Sequence, residues 1–228
     1  MKHLIKTADS SSLAAVNYNR VILNTTTDNV TIDYSYVDLG LPSGLKWATR
    51  NIGATSETDY GDYFMWGSTT PNTASQCNWT NAPFNNGSDS FDEEYFNTHK
   101  SEWVDDNKRL KPKYDAASQI MGSDWRMPTK AELNELFSGT TNEWTTINNV
   151  NGWKFTSKTD TSKYIFIPAA GNCGDGSVLN VGSRGYVWSS SLGTSYPSDA
   201  WYLDFTSGDC GVSYGIRCSG QSVRGVRA

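Results

Sequence analysis

"GSDWRMPTKAELNEL", residues 122–136, sets the punctuation of this chain. Thr129 with Glu132 three residues later forms a capping box, in which each side chain answers the other's backbone N–H. Leu133, Leu136 and Phe137 then fall on one face, so a helix is predicted over 129–137. Just upstream, "KYDAASQIMG" (113–122) spaces Ala, Ile and Met at helical intervals and stops at Gly122, a residue suited to a C-terminal cap. Most of the remainder reads as short strands, such as "GWKFTS" (152–157), "YIFIPAAG" (164–171), "YVWSSS" (186–191) and "AWYLDF" (200–205), set apart by Gly, Asn and Ser clusters. Two helices among many short strands and long loops predict an α+β fold.

Composition narrows the function. Of 228 residues, 37% are apolar and 19% charged, while nine Trp, twelve Tyr and eight Phe supply bulk. Such a chain folds through aromatic packing and turns. A net charge of −5 excludes a nucleic-acid footprint, which needs clustered Lys and Arg. The basic runs at 100–113 and 222–228 read as solvated loops. No window approaches the ~18 apolar residues of a membrane span, and the N-terminus lacks the apolar core of a secretory signal. Residues 1–33, rich in Ser, Thr and Asn, read as an extension for attachment or assembly, with strand-like runs at 14–23 and 29–37. Residues 34–228 read as one domain without internal repeats.

Chemistry is hard to place. His3 and His99 are the two histidines, and both stand in polar contexts without a nucleophile–base pattern. The glycines of 169–185 precede no helix that could cradle phosphate. Asp175 alone falls short of a calcium ligand set, and the adjacent acids Asp92, Glu93, Glu94, Asp105 and Asp106 read as solvated. Cys77, Cys173, Cys210 and Cys218 form no CxxC pair and read as unpaired thiols. No catalytic residue, metal or cofactor is expected.

Six motifs occur in a telling order: "VDLGLPSGLKWATRNIGA" (37–54), "DYGDYFMWG" (59–67), "GSDWRMPTKAELNEL" (122–136), "IFIPAAG" (165–171), "GYVWSSS" (185–191) and "GQSVRGVR" (220–227). Together they closely resemble the major-paralogous-type domain of gut bacteria and their phages, and the similarity covers residues 34–228. That domain belongs to the C-type lectin fold superfamily, which includes the formylglycine-generating enzymes and the variable proteins of diversity-generating retroelements. The resemblance implies a C-type lectin fold with two helices and short antiparallel strands. It also makes Trp125, Arg126, Pro128, Trp188 and Gln221 framework. The ligand motifs of the calcium lectins are missing, as is the paired-cysteine motif of the formylglycine-generating proteins. The spacing of Cys210 and Cys218 is similar to that of the late lectin cysteines and leaves a disulfide between them open.

In the retroelement group a reverse transcriptase randomises template adenines, commonly in Asn codons, and the altered side chains gather on one ligand-binding face. Asn codons can become Tyr, Ser, Asp, Gly, Val, Ile, Cys or Arg this way, but not Lys, Glu, Met, Gln or Trp. Residues 1–163 hold 11 Lys, 7 Glu and 4 Met, and residues 164–228 hold none; the earlier density predicts about nine. Three of the four cysteines also fall there, a poor deliberate choice for an exposed surface. The resemblance thus implies a variable region at about 171–228. Alternation in "AWYLDF" puts Trp201, Leu203 and Phe205 in the core and Ala200, Tyr202 and Asp204 on the surface. The expected contact residues are Tyr186, Val187, Tyr196, Ser198, Asp199, Tyr202 and Asp204, then Asp209, Val212, Ser213, Tyr214, Ile216 and Arg217. Tyrosine offers a large rigid surface and a hydroxyl at low entropic cost. The implied role is a display protein on a phage virion or bacterial cell surface, not an enzyme. Its partner would be a protein or glycan receptor on a cell, and it could assemble as a homo-oligomer. An undiversified adhesin is the main alternative and a formylglycine-generating-type enzyme the remote one.

Overall fold

The computed structural model describes residues 21–23, 30–32, 34–174 and 176–228. Most of the proposed 1–33 extension therefore lies outside the described residues, as does Asp175. Within it, β1 (Val21–Leu23) pairs antiparallel with β2 (Val30–Ile32).

The rest is mixed α and β, built from small antiparallel sheets and few helices. One sheet has the order β13 (Val226–Arg227), β4 (Lys46–Ala48), β3 (Tyr36–Asp38), so the last strand closes onto one of the first. A second is the meander β5 (Thr140–Ile147), β6 (Val150–Ser157), β7 (Tyr164–Pro168). Its tight turn uses Asn148 and Asn149, both at positive φ (50° and 63°), the conformation that two-residue hairpins demand and asparagine tolerates. The short hairpin β8 (Asn172–Gly174) and β9 (Ser177–Leu179) leads into a third sheet, β10 (Arg184–Leu192), β11 (Asp199–Thr206), β12 (Cys210–Ile216).

Three α-helices are present among the described residues, one more than the sequence reading gave. The additional one, α1 (Glu93–Trp103), begins where Asp92 accepts the Tyr95 N–H, with Glu93 and Glu94 in its first turn, where acids suit the helix dipole. Asp92 is thus a cap and not idle charge. The first part of the supposed loop 100–113 is the end of this helix. Next, α2 (Ala116–Met121) is shorter than the predicted 113–122 and stops at Gly122, whose φ of 103° is open to glycine. The expected capping box starts α3 (Lys130–Gly139). Leu133 and Leu136 are buried, but Phe137 is exposed, against expectation.

The WRMPT segment is seated by its own acids and bases. Asp115 caps α2 through Ser118 and also accepts the Met127 N–H at 2.9 Å. Burial raises its pKa, with these N–H bonds opposing. Arg126 grips Glu132 with two bonds, of 2.7 and 2.6 Å.

Arg224 joins distant parts of the chain. It is fully buried, and it donates to Asn51 Oδ1 (3.0 Å), the Ala48 carbonyl (2.9 Å) and the Phe166 carbonyl (2.9 Å). One guanidinium thereby connects β4, the following loop and β7. Burial draws its pKa down to about 9, which leaves it charged at neutral pH. Arg224→Leu strips three buried acceptors and is expected to cost at least ~3 kcal/mol, seen as a Tm lower by roughly 10 °C. Arg224→Lys, lacking the planar fork, should recover little of this in the same calorimetric scan.

Glu132 gives a second test. Burial pushes its pKa up, but Arg126 and Thr129 more than offset this and hold it below the ordinary 4.5. Its contribution is complete above that ordinary value and lost as pH falls through the lower folded value. Urea titrations of Glu132→Gln should therefore show destabilisation at pH 7 that shrinks toward pH 3.

Candidate ligand-binding face

The third sheet carries most of the expected contact residues, and its register sorts them. Cross-strand partners Tyr186↔Asp204, Trp188↔Tyr202 and Tyr202↔Ser213 share one face. The partners Val187↔Leu203, Leu203↔Val212, Trp201↔Tyr214 and Asp199↔Ile216 share the other.

The first face is a polar aromatic patch running out from the core. Trp188 is fully buried and its indole N–H donates to the Phe64 carbonyl at 2.8 Å. Tyr202 meets Trp188 edge-on at 5.5 Å and Tyr186 at 5.7 Å. Beyond them Arg184 forms a two-pronged pair with Asp204, at 2.8 and 2.5 Å, and sits over the Tyr186 ring. Arg184, Asp204, Asp209 and Ser213 line an open depression of about 370 Å³ at this end. Burial raises the pKa of both Tyr186 and Tyr202, so their hydroxyls remain neutral and able to donate.

The second face is divided along its length. Val187, Leu203 and Phe205 enter a core with Leu133, Leu136, Phe155 and Ile167, and Val212 packs against it partly buried. At the other end Tyr214 and Ile216 are 47% and 50% exposed, and Tyr196 on the preceding loop is 60% exposed. Ser198 and Asp199 sit beside it, half-buried.

Strict alternation fails at Trp201 and Ala200. Ala200 is buried, whereas Trp201 is only half-buried. Ala200 packs into a core with Trp188 and Leu192, while Trp201 stays on the Leu203 side, at the end where Tyr214 and Ile216 are exposed. Opposite it the β10 register shifts between Trp188 and Leu192, so that Ser189, Ser190 and Ser191 together face Trp201. Such a bulge bends the strand and re-aims its neighbours. These serines are tied down: Ser189 Oγ donates to the Trp201 carbonyl (2.7 Å), the Ser190 N–H to the Pro128 carbonyl (2.8 Å), and Ser191 Oγ accepts the Lys130 N–H (3.0 Å). Lys130 Nζ lies 3.2 Å from the centre of the Trp201 ring. Trp201 also borders an open cavity of about 450 Å³ with Lys108, Arg109 and Thr194.

Two expected contact residues are not on the surface. Val187 is core, because its strand position points it between the sheet and α3. Arg217 is fully buried, its guanidinium carbon 4.3 Å from the Phe96 ring centre, 5.3 Å from Phe91 and 5.6 Å from Trp66. It donates to the Pro197 carbonyl at 2.8 Å, and its backbone N–H bonds the Ser198 carbonyl. Arg217 therefore holds the loop that displays Tyr196 and Ser198, and burial draws its pKa to about 9. A cation at the end of a strand carries no sequence sign that an aromatic box awaits it.

The cysteines are also corrected. All four are buried, so those in the last 65 residues are packing residues and not exposed products of mutation. Cys210 begins β12 and Cys218 lies two residues beyond its end, with about 20 Å of extended strand between Cys210 and Ile216. Their Cα atoms are too far apart for the disulfide left open above.

The sequence reading missed Val178, Leu179 and Val181, 45%, 49% and 46% exposed on and after the β8–β9 hairpin. The Asn180 carbonyl between them accepts the Arg184 N–H at 3.0 Å, so this apolar tip adjoins the strand that carries Tyr186. His99 stacks on Trp103 and meets the Tyr95 ring at a tilt along α1, and it bonds the Tyr95 carbonyl. No helix among the described residues is long and apolar enough to cross a membrane.

No family model matches this chain, and neither a curated protein nor a solved structure matches it.

Frame and surface should separate in stability measurements. Arg217→Ala leaves a cavity and unpartnered carbonyls and is expected to cost ~3 kcal/mol or more. Tyr196→Ala, Tyr214→Ala and Ile216→Ser should each stay within ~0.5 kcal/mol of the parent, as read from urea midpoints.

Proposed function

We propose that this chain is a ligand-binding display protein of C-type lectin architecture, with its contact surface on the β10–β11–β12 sheet and the adjoining 193–198 loop. The carrying observation is the split between the two sets of side chains on that sheet. Trp188, Val187, Leu203 and Phe205 are buried. Tyr186, Tyr202, Asp204 and Ser213 on one face, and Tyr196, Tyr214 and Ile216 at the far end, reach solvent on the same strands and loop. Tyrosines interleaved with Ser and Asp make an adaptable contact surface, because a rigid aromatic anchor and a short hydrogen-bonding group lose little entropy on binding. The partner is a protein or glycan on a cell surface, and the role is recognition without catalysis.

Diversification by adenine mutagenesis remains part of this reading, supported by the missing Lys, Glu and Met of the last 65 residues. The burial of the cysteines withdraws its second argument and favours, to that extent, the undiversified adhesin. The DNA beside the gene discriminates. A near-identical repeat differing at adenines, next to a reverse transcriptase, is the expected finding; a complete genome with neither leaves the adhesin.

Binding to intact gut-bacterial cells, titrated by flow cytometry, tests the face itself. The combined variant Tyr196→Ser, Tyr214→Ser, Ile216→Ser should keep the parent's Tm and lose at least about tenfold in affinity for any strain the parent binds. Unchanged affinity would move the contact surface off this end of the sheet.

A further inference from the structure

Cys77 and Cys173 stand 96 positions apart in sequence, yet their sulfurs are 2.7 Å apart. Non-bonded carbons rest at about 3.5–4.0 Å, and sulfur is larger. The backbone on each side fixes the approach. Cys77 follows the single helical turn Ala74–Gln76; its N–H bonds the Ala74 carbonyl at 3.2 Å and its thiol the Thr73 carbonyl at 3.3 Å. Cys173 occupies the middle of β8 and exchanges two backbone bonds of 2.8 Å with Gly220. A Cβ at Gly220 would collide with both sulfurs, so glycine there is what lets the pair sit against the chain. Met65, Ala82 and Cys218 complete a small apolar cluster around them.

We propose that Cys77 and Cys173 are a covalent modification site: oxidation joins them in a disulfide that staples the 72–82 loop to the β8–β9 hairpin. Their enclosure, with both residues almost fully buried, suits a structural cross-link better than a catalytic thiol. The oxidant is a low-molecular-weight disulfide, RSSR, acting during folding or local opening. The Cys77 thiol reacts with RSSR to give a Cys77 mixed disulfide and one RSH. Cys173 then attacks the Cys77 sulfur as thiolate, breaking the bond to RS⁻, which takes up the proton Cys173 gave up. Two protein thiols are oxidised and one RSSR is reduced to two RSH. The hydrogen bond between the two thiols can run from either sulfur, so the same balance holds with Cys77 and Cys173 exchanged. The site is independent of the proposed binding role.

The full-length protein is equilibrated across ratios of oxidised to reduced glutathione, quenched with acid, alkylated in denaturant, and examined by intact mass and peptide mapping. The expected result is loss of two hydrogens, a single Cys77–Cys173 cross-linked peptide, and alkylated Cys210 and Cys218. Closing so long a loop should raise the Tm of the oxidised protein by roughly 10 °C over the reduced one. Cys173→Ser should show no cross-link and a Tm insensitive to reductant, while Cys210→Ser keeps the cross-link and a Tm that falls on reduction. Four alkylated thiols at the most oxidising ratio, or a cross-link through Cys218 in place of Cys173, would overturn the assignment.

Discussion

The guanidinium of Arg224 is the contact on which the rest of the architecture hangs. The sheets among the described residues are small, two or three strands each, and the two-stranded ones are marginal on their own. They must be tied across gaps in sequence. Arg224 does this with three hydrogen bonds to segments 176, 173 and 58 positions away. Its buried charge is stabilised by three oxygen acceptors, with the Glu57 carboxylate adding attraction from farther off. Two indoles extend the same principle: Trp66 donates to Ser189 and Trp188 to Phe64. Each is a bulky apolar residue whose one polar atom is spent on a long-range backbone bond.

This economy explains why the chain is rich in aromatics and poor in long helices. Large rings supply buried area where regular elements are too short, and loops are fixed by side-chain-to-backbone bonds such as those of Asp115 and Arg217. The candidate face inherits its rigidity from that frame. Tyr202 illustrates the junction, touching buried Trp188 on one side and half-buried Tyr186 on the other.

Local signals were legible where one residue type has one local use. Thr129 and Glu132 announced their capping box, Gly122 its helix end, and the strand runs at 152–157, 164–171, 186–191 and 200–205 all lie at observed strands. What failed depended on distant partners. The helix Glu93–Trp103 was hidden by polar composition, although Asp92 as cap and the spacing of Phe96, His99 and Trp103 were there to be used. Alternation puts Trp201 in the core with Leu203 and Phe205, but it cannot foresee where along that face the covering core ends. Val187 and Arg217 looked like surface because nothing local reveals which ring or helix will cover them. The meeting of Cys77 with Cys173 is likewise a product of the fold, not of any motif.

The three-serine bulge in β10 has a consequence for evolvability. A strand whose outward side chains are freely exchanged risks slipping by one position, which would turn its whole pattern inside out. Here the anchors are the Ser189 and Ser191 hydroxyls and the Ser190 N–H, which meet backbone atoms of Trp201, Lys130 and Pro128 and are not among the proposed contact residues. Alignment of the strands is thus stored separately from the residues a ligand would meet. Novelty at the surface can then be sampled without risk to the fold beneath it.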